Sequence, residues 1–311
     1  MEWFENTFGF NEYKVSNVSN MFNLIQENNN YYIQSKANLS KYCCGKFTTP
    51  SLRELRESIG NKACDEELLV EHIVIFDVES IHKPGATIQV ASQLNCLEFP
   101  SPGTTPEDGI SEYIYDNTQG PACALMCPGA TVYRNYFVFD GQPQTADKQI
   151  NLVADLPFNV NNGYVLTPPV GTVLTDEQMG LVRIGWHENV QVLANAPLNT
   201  GVYVNQCFCS ALSCGYSRVS LDSWEPYAQF ILNAMYEGII LAAERHRRNG
   251  GSGEVYLTML GGGAFKNKIS WIAKAIGRAI RIAREKGFGL HIHVCHYCRL
   301  NKKFVEKMSY E

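Results

Sequence analysis

The sequence predicts an α/β fold built as one large domain. Short runs rich in β-branched residues, at 72–76 and 86–91, are typical of strands in a sheet that is covered on both faces. Stretches with helical periodicity lie at about 224–247 and 270–286. Between them, a buried strand predicted at 254–260 runs directly into three glycines. This alternation of strands and helices favours the α/β class.

Length and composition indicate an ordinary globular protein with a substantial core. The chain has 311 residues, of which 45% are hydrophobic and 18% charged, and no break in composition divides it. We divide it into an N-terminal extension, 1–70, and a main domain, 71–311. The extension begins with aromatic residues scattered among asparagines, which indicates a segment that is packed on the domain or partly disordered. Within it, Ser51 and Glu54 predict a capping box for a helix that ends near Gly60.

The charge of the chain argues against a nucleic-acid partner. The formal net charge is −5 and the isoelectric point is about 5.9, so neutralising a phosphate backbone is not its main task. Basic residues do recur in one predicted helical region, where their periodicity is typical of a solvated helix face. These are Lys266, Lys268, Lys274, Arg278, Arg281, Arg284 and Lys286.

The sequence predicts a cytoplasmic protein that does not contact a membrane. No apolar run approaches the roughly 20 residues that span a bilayer, and the first thirty residues are polar. The 11 cysteines are an odd number in a long chain, and several stand in apolar segments, where a free thiol packs as a small hydrophobe. A reducing compartment accounts for them more simply than disulfides do.

Two intervening regions are less regular. Residues 99–116 are rich in proline, glycine and acids, which predicts an exposed loop. Residues 140–223 carry turn signals between short apolar runs, and we expect strands at 181–184 and 191–193 that elaborate the sheet.

Two glycine-containing segments are suited to binding phosphate. Gly261–Phe265 lies between a strand and a helix, where glycine allows close backbone approach and positive φ, and where a helix N-terminus attracts anions. Thr118–Ala124 is a second segment of this kind, and a diphosphate needs donors from more than one side. The alternatives are a tight structural turn for the first segment and a turn before a helix for the second.

Three motifs together resemble one known family. Val90–Asn95 (VASQLN), Asp116–Ala122 (DNTQGPA) and Leu260–Phe265 (LGGGAF) resemble the macrodomains, in particular the bacterial-effector and eukaryotic ADP-ribosylhydrolases. The resemblance covers residues 73–297 and leaves the N-terminal extension outside. It implies a three-layer α/β/α sandwich with a mixed sheet, and a pocket for ADP-ribose.

The resemblance also implies the residues that bind the substrate. Asn95, with Gln93 as a second candidate, would present an amide to the distal ribose, although an asparagine at a strand end also serves as a turn or cap. The segment 118–123 would form the first loop for the diphosphate and ribose, and 261–264 the second, with Phe265 and Asn267 near the distal ribose. The full set is Gln93, Asn95, Thr118, Gln119, Gly120, Pro121, Ala122, Cys123, Gly261, Gly262, Gly263, Ala264, Phe265 and Asn267.

The match to macrodomains has two departures. The first loop has one glycine and a proline where macrodomains usually carry a glycine run. No Gly-Asp-Ile motif stands near Phe76 and Asp77, so the adenine contacts are unassigned.

Two acids are the candidate catalysts. Release of ADP-ribose requires attack at an anomeric carbon while an oxocarbenium-like state develops, and a carboxylate can orient the water and the ribose hydroxyls. Asp108 and Asp116 match acids of the hydrolase branch and flank the approach to the first loop. The alternative is that they are solvated loop acids.

A histidine- and cysteine-rich run near the C-terminus invites a metal interpretation. Cys295 and Cys298 have Cys-x2-Cys spacing beside three histidines, but strand alternation puts His291, His293 and Cys295 on one face, and no second pair of ligands is evident. We therefore predict that the protein folds without a metal and uses no cofactor. Cys123 and Cys209 are predicted to pack rather than to act as nucleophiles.

The resemblance thus implies an enzyme that hydrolyses the bond between ADP-ribose and a protein side chain, with arginine linkage as one option. Its partner would be ADP-ribose or an ADP-ribosylated protein. A non-catalytic reader of ADP-ribose is the alternative, because a fold and its phosphate loops do not guarantee turnover. A structural or interaction protein is a third hypothesis.

Overall fold

The computed structural model describes residues 2–60, 67–193 and 201–308 and contains eight α-helices and eleven strands within them. The strands are β1 (Phe22–Glu27), β2 (Asn30–Ser35), β3 (Lys41–Thr48), β4 (Leu69–Ile75), β5 (Thr87–Ala91), β6 (Val160–Asn161), β7 (Tyr164–Val165), β8 (Gly185–Gln191), β9 (Tyr203–Cys209), β10 (Glu254–Leu257) and β11 (His291–Tyr297). The helices are α1 (Glu2–Phe8), α2 (Leu52–Ile59), α3 (Gln119–Met126), α4 (Pro128–Tyr136), α5 (Asp176–Met179), α6 (Leu221–Arg248), α7 (Ile269–Glu285) and α8 (Lys302–Lys307).

Nine strands form one mixed sheet in the order β1-β2-β3-β8-β9-β5-β10-β11-β4, and β6 and β7 form a separate hairpin. The strands from β1 to β9 in this order pair antiparallel, whereas β9, β5, β10, β11 and β4 pair parallel. In the parallel half, all strands therefore end at the same edge of the sheet. Loops that follow these strands are brought together there.

Helices cover both faces of the sheet. On β9, the side chain of Gln206 donates to the carbonyl of Cys123 in α3, and the ring of Phe208 lies 3.8 Å from the guanidinium of Arg134 in α4. The neighbouring Cys209 points to the other face, where its thiol meets a carbonyl of α6. Because successive residues of a strand face opposite sides, α3 and α4 form one outer layer and α6 the other. The predicted three-layer α/β/α sandwich with a mixed sheet is confirmed.

The N-terminal residues are integrated into this sheet. Strands β1 to β3 extend it beyond β8, and Phe4 and Phe8 of α1 are fully buried among other aromatic rings. The buried carboxylate of Glu12 accepts hydrogen bonds from the backbone N–H groups of Ile110 and Ser111. The described part of the N-terminal segment is thus packed on the domain.

Most of the predicted elements are present. The capping box of Ser51 and Glu54 starts α2 as expected, and the helices and strands predicted on either side of the glycine run correspond to α6, β10, α7 and β11. The short strands expected at 181–184 and 191–193 are misplaced, because the chain forms one strand at 185–191. Only Gln191 belongs to it, and Arg183 makes an isolated bridge with Ser51. That strand carries the polar Glu188 and Asn189, which hid it from a search for apolar runs.

The segment 99–116 is also more ordered than expected. It contains two 3-10 turns, Pro106–Asp108 and Ser111–Tyr115, and both Ile110 between them and Tyr113 are buried. Glu12 accepts hydrogen bonds from the backbone of this segment at Ile110 and Ser111. In the described residues, no helix is both long enough and apolar enough to cross a membrane.

Candidate functional site

The glycine loop, Gly261–Phe265, lies at the edge where the parallel strands end. It follows β10, and Gly261 is packed so closely against β9's continuation that a Cβ there would lie 2.4 Å from the Cβ of Ala211. Gly261 also has φ of +71°, a conformation that glycine adopts without strain. A Cβ on Gly263 would meet no atom within 4 Å, so this glycine borders open space.

Asn267 holds the glycine loop in place through hydrogen bonds. Its backbone N–H donates to the carbonyl of Gly261 at 3.0 Å, and its side-chain amide donates to the carbonyl of Leu212 at 2.8 Å. The side chain is buried, and its Oδ1 accepts no hydrogen bond in the described part of the chain. The described contacts therefore make Asn267 a brace of the loop, and its predicted contact with ribose stays a prediction.

The second predicted loop is the first turn of a helix. Residues 119–123 begin α3, with Thr118 as the preceding cap residue, so the alternative of a turn before a helix is nearer to the structure than a loop. Gly120 is required because a Cβ would lie 1.9 Å from the carbonyl oxygen of Ala91. The structure thus presents a helix N-terminus, which also favours anions. Its donors are the N–H groups of Gln119 and Gly120, because Pro121 has no N–H and that of Ala122 donates to Thr118.

Residues of this first turn differ in how far they are exposed. Gly120, Pro121 and Cys123 are buried, whereas Thr118 is exposed and Ala122 is partly exposed. Burial holds the pKa of the Cys123 thiol well above its usual value, which agrees with packing rather than nucleophilic attack.

Two glutamines fix α3 and the glycine loop at the same edge. Gln119 accepts from the N–H of Ala91 at 2.8 Å and donates to the carbonyl of Gln89 at 2.7 Å, so its side chain continues the pairing of β5. The buried side chain of Gln89 in turn accepts from the N–H of Thr258, just before the glycine loop. These bonds give both phosphate-binding candidates a rigid position relative to β5.

An aromatic cluster of Phe265, Tyr164 and Tyr216 stands beside the glycine loop. The ring of Tyr164 lies 5.5 Å from that of Phe265 and 5.1 Å from that of Tyr216. The two tyrosines donate to the carbonyls of Phe99 and Pro100, which ties the cluster to the 99–116 segment. Sequence reasoning missed both tyrosines; the only signal was the Asn-Asn-Gly turn that precedes Tyr164.

Asp116 lies close to this cluster. Its Oδ1 accepts from the N–H of Thr118 at 2.8 Å, which fixes the carboxylate just before α3. Burial raises the pKa of Tyr164, the neighbouring Tyr216 adds to the shift, and the negative charge of Asp116 raises it further. Asp116 is partly exposed and is therefore accessible to water and substrate.

Asp108 lies in a different environment. Its Oδ2 accepts from the N–H of Thr105 at 2.8 Å and caps a 3-10 turn. The pKa of Tyr13 is raised by burial, by Glu12 and Glu112, and to a smaller extent by Asp108. The charge of Asp108 thus acts on Tyr13 of the N-terminal segment, whereas the charge of Asp116 acts on Tyr164 and its carboxylate is bonded to the residue before α3.

The side chains of Gln93 and Asn95 are occupied within the protein. Gln93 pairs with both backbone groups of Phe99, and Asn95 donates to Gln149 at 2.7 Å while accepting from the N–H of Leu97. Asn95 is completely buried. Both residues shape the turn after β5, and their contact with a ribose stays a prediction.

The cysteine pair near the C-terminus does not converge on a metal. Cys295 is buried in β11, and burial raises its pKa to about 12, whereas Cys298 is exposed after the strand with φ of +62°. The histidines at 291 and 293 instead contact glutamates from neighbouring strands. The predicted packing of Cys209 agrees with its burial against α6.

Comparison with known proteins gives structural similarities only. No protein-family model matches the sequence, and no curated protein is similar to it in sequence. Poly(ADP-ribose) glycohydrolase from Deinococcus radiodurans in complex with ADP-ribose has a TM-score of 0.46 at 15% identity, covering 84% of this chain and 91% of that chain.

A second glycohydrolase has a similarly low TM-score. Poly(ADP-ribose) glycohydrolase from Thermomonospora curvata, bound to the inhibitor ADP-HPD, has a TM-score of 0.41 at 9% identity, covering 84% of this chain and 83% of that chain. Both TM-scores are below 0.5, so the similarity by itself assigns neither a family nor an activity to this chain.

Proposed function

We propose that this protein is an ADP-ribosylhydrolase, which binds the ADP-ribosyl group of a modified protein and hydrolyses its bond to the side chain. One observation carries the proposal: the glycine loop, the N-terminus of α3 and the carboxylate of Asp116 lie at one edge of the sheet, where hydrogen bonds of Gln89, Gln119 and Thr118 fix them. This edge, at the ends of parallel strands, is where α/β proteins bind their ligands.

The diphosphate would lie between the glycine loop and α3. Backbone N–H groups of a glycine loop and of a helix N-terminus are donors suited to phosphate oxygens, and the open space at Gly263 allows close approach. The exposed Lys266 adds a positive charge directly after the loop, whereas Lys268 is paired with Asp222. An anionic ligand is thus favoured locally although the chain is acidic.

Asp116 would support the chemical step. A water oriented by its carboxylate attacks the anomeric carbon of the distal ribose, and the bond from that carbon to the side-chain nitrogen or oxygen breaks. The bonding electrons and a proton from the water go to the leaving side chain, which yields ADP-ribose and the unmodified residue. The aromatic cluster would form a wall beside the ribose, with Phe265 nearest.

Asp108 remains the second proposed acid. Its place in a 3-10 turn just before Ile110, whose N–H is bound by Glu12, supports a role in shaping the entrance, where it would act once substrate is bound. Arginine-linked ADP-ribose is one substrate option, and a cytoplasmic modified protein is the proposed partner.

A reader of ADP-ribose without turnover is the second candidate. It is favoured by the burial of Asn95 and the bracing role of Asn267, because these leave fewer side chains to orient a reacting ribose. The two functions share the diphosphate site and differ in what happens to a linked substrate.

The test combines one titration with one hydrolysis panel. ADP-ribose is titrated into the full chain by calorimetry, and proteins carrying arginine-, glutamate- and serine-linked ADP-ribose are incubated with it while release of ADP-ribose is followed. The proposal expects saturable binding and cleavage of at least one linkage. Binding without any cleavage would establish the reader, and no binding would reject both functions.

A further inference from the structure

Four side chains converge at the opposite edge of the parallel strands. This strand-end cluster consists of Glu254 at the start of β10, His291 and His293 in β11, and Glu71 in β4. Glu254 is directly opposite His291, and Glu71 is directly opposite His293. Residues paired in a parallel sheet share a face, so all four side chains project from the same side of three neighbouring strands.

Glu254 orients both imidazole rings. Its Oε1 lies 3.2 Å from His291 Nδ1, and its Oε2 lies 2.6 Å from His293 Nε2. Because a carboxylate only accepts hydrogen bonds, both rings donate through these nitrogens. The nitrogens left over, His291 Nε2 and His293 Nδ1, lie on the side of Glu71.

Glu71 lies close to both of these nitrogens but makes no hydrogen bond with that of His293. Glu71 Oε1 lies 3.3 Å from His291 Nε2 and 2.6 Å from His293 Nδ1. His293 is 5% exposed, and its Nδ1 has no hydrogen-bond partner despite the short distance, because the carboxylate does not lie along the N–H direction. In a neutral ring this nitrogen carries a lone pair, which would face a negative oxygen.

A divalent cation suits this arrangement. The ring centroids of the two histidines are 4.0 Å apart, and the buried ring of His293 stacks on Tyr256 at 4.4 Å, which holds both rings in place. One ion could be bound between the two lone pairs and the carboxylate of Glu71. It also leaves Glu254 as the outer carboxylate that fixes the tautomer of each ligand histidine, a common feature of metal sites.

We propose that Glu71, His291 and His293 bind one divalent first-row transition metal ion, with Zn²⁺ as the preferred ion. The three ligand atoms lie within 4.8 Å of one another. With bond lengths of roughly 2.0–2.2 Å in a tetrahedral site, ligand atoms are about 3.3–3.5 Å apart. The distance from Glu71 to His291 already matches this spacing, and Glu71 must move outward from His293, from which it is 2.6 Å away. Two imidazoles with one carboxylate favour Zn²⁺ over Mg²⁺ and Ca²⁺, which prefer oxygen ligands.

The ion would fasten an edge of the sheet. β4 is the last strand in the nine-stranded order, and Glu71 is its contribution to the cluster. Coordination across β4 and β11 would hold this edge strand in register. The side chains of Glu71 and His291 are 49% and 32% exposed, so a fourth position is open to water. This proposal does not rest on ADP-ribose binding at the other edge.

The experiment measures metal binding by the full chain after treatment with a chelator and its removal. Calorimetry with Zn²⁺, with Mg²⁺ and Ca²⁺ as hard-ion controls, is expected to give one Zn²⁺ per chain and a raised midpoint of thermal unfolding. Co²⁺ is expected to give visible absorption of a low-symmetry site without a thiolate charge-transfer band.

Matched variants identify the ligands. Glu71→Gln and His291→Gln, both at partly exposed positions, should weaken Zn²⁺ binding at least tenfold, and Glu254→Gln should weaken it by about ten- to a hundredfold. Glu306→Gln, an exposed acid on α8, and Cys298→Ser should leave it unchanged. No stoichiometric Zn²⁺ or Co²⁺ binding by the wild type would overturn the proposal, as would binding that survives the cluster variants or is lost in Cys298→Ser.

Discussion

The two ends of the parallel strands differ in the kind of group that they offer a ligand. At the carboxyl ends, the glycine loop and the start of α3 offer backbone N–H groups, with the acid Asp116 to one side, although the N–H of Gly262 donates to the carbonyl of Met259. At the amino ends, the strand-end cluster offers imidazole and carboxylate side chains aligned by register. The first edge is suited to an anion and the second to a cation. One sheet can therefore support two sites of opposite charge preference with few shared residues.

The largest expected effect concerns turnover at the carboxyl edge. Asp116→Asn keeps the acceptor for the N–H of Thr118 but removes the charge beside the aromatic cluster. Turnover on a cleavable ADP-ribosylated substrate should fall by about a hundredfold to ten-thousandfold, while affinity for ADP-ribose changes by less than roughly tenfold.

Two further variants sharpen this result. Asp147→Asn removes an exposed acid from another loop and should leave the rate unchanged. Asp108→Asn should also lower turnover, but by less than Asp116→Asn, because Asp108 is bound to Thr105 and lies near Tyr13. Wild-type rates in both Asp108→Asn and Asp116→Asn would remove the acids from the mechanism.

The second prediction concerns His82, which precedes β5 near the amino edge. Burial lowers the pKa of His82 to about 4, and its Nδ1 bonds the carbonyl of Val78. Between about pH 6.5 and pH 4 the unfolded chain binds a proton that the folded chain does not. His82 therefore contributes stability above pH 6.5 that is lost as the pH falls through this window, about 1.4 kcal/mol for each pH unit.

His82→Gln isolates that contribution. The free energy of unfolding, measured by denaturant titration from pH 4 to pH 7, should depend on pH less steeply in the variant by about one proton. The stability contributed by Glu98 has the opposite pH dependence. Burial raises the pKa of Glu98 to about 7, although Arg134 opposes the shift. Its contribution to stability is therefore lost as the pH rises. An unchanged slope in His82→Gln would mean that His82 is charged in the folded protein.

The third prediction separates binding from folding within the glycine loop. Gly263→Val places a side chain where no protein atom lies within 4 Å, so ADP-ribose binding should weaken tenfold or more while the unfolding midpoint hardly changes. Gly261→Val should lower the midpoint, because a Cβ would lie 2.4 Å from Ala211 and φ is +71°. Equal affinity of wild type and folded Gly263→Val would exclude this loop from the site.

The smallest effect is expected far from both edges. Ser51→Ala removes the side chain that caps α2 and should lower the free energy of unfolding by about 1 kcal/mol. ADP-ribose and Zn²⁺ affinities should be unchanged in the same variant. A parallel loss of either affinity would show that the binding measurements follow overall stability rather than the local site.

Local patterns predicted much of the fold and part of the carboxyl edge. The capping box at Ser51, the strand-glycine-helix order around Gly261 and the long helices are encoded within a few residues of each other, and they are present. For residues 119–123 the sequence left a loop and a turn before a helix open, and the helix in fact begins at Gln119. Only the structure reveals that Gly120 is needed where α3 meets Ala91.

Long-range register explains what the sequence could not reveal. Glu71 and Glu254 are separated from His293 by 222 and 39 positions, and each belongs to a different strand. A search for contiguous metal motifs therefore found Cys295 and Cys298, which do not converge, and overlooked the glutamates. Tyr164 and Tyr216 were missed for the same reason, since they meet Phe265 only after the chain has folded.

Hydrogen–deuterium exchange of the full chain, with and without saturating ADP-ribose, tests the central claim most directly. Bound ADP-ribose should slow exchange in peptides that cover 116–126 and 258–268, because their N–H groups contact or surround the diphosphate. Exchange in peptides that cover 69–75, 252–256 and 289–295, at the other edge, should not change. Protection confined to the amino edge, or none at all under saturating ligand, would contradict the account.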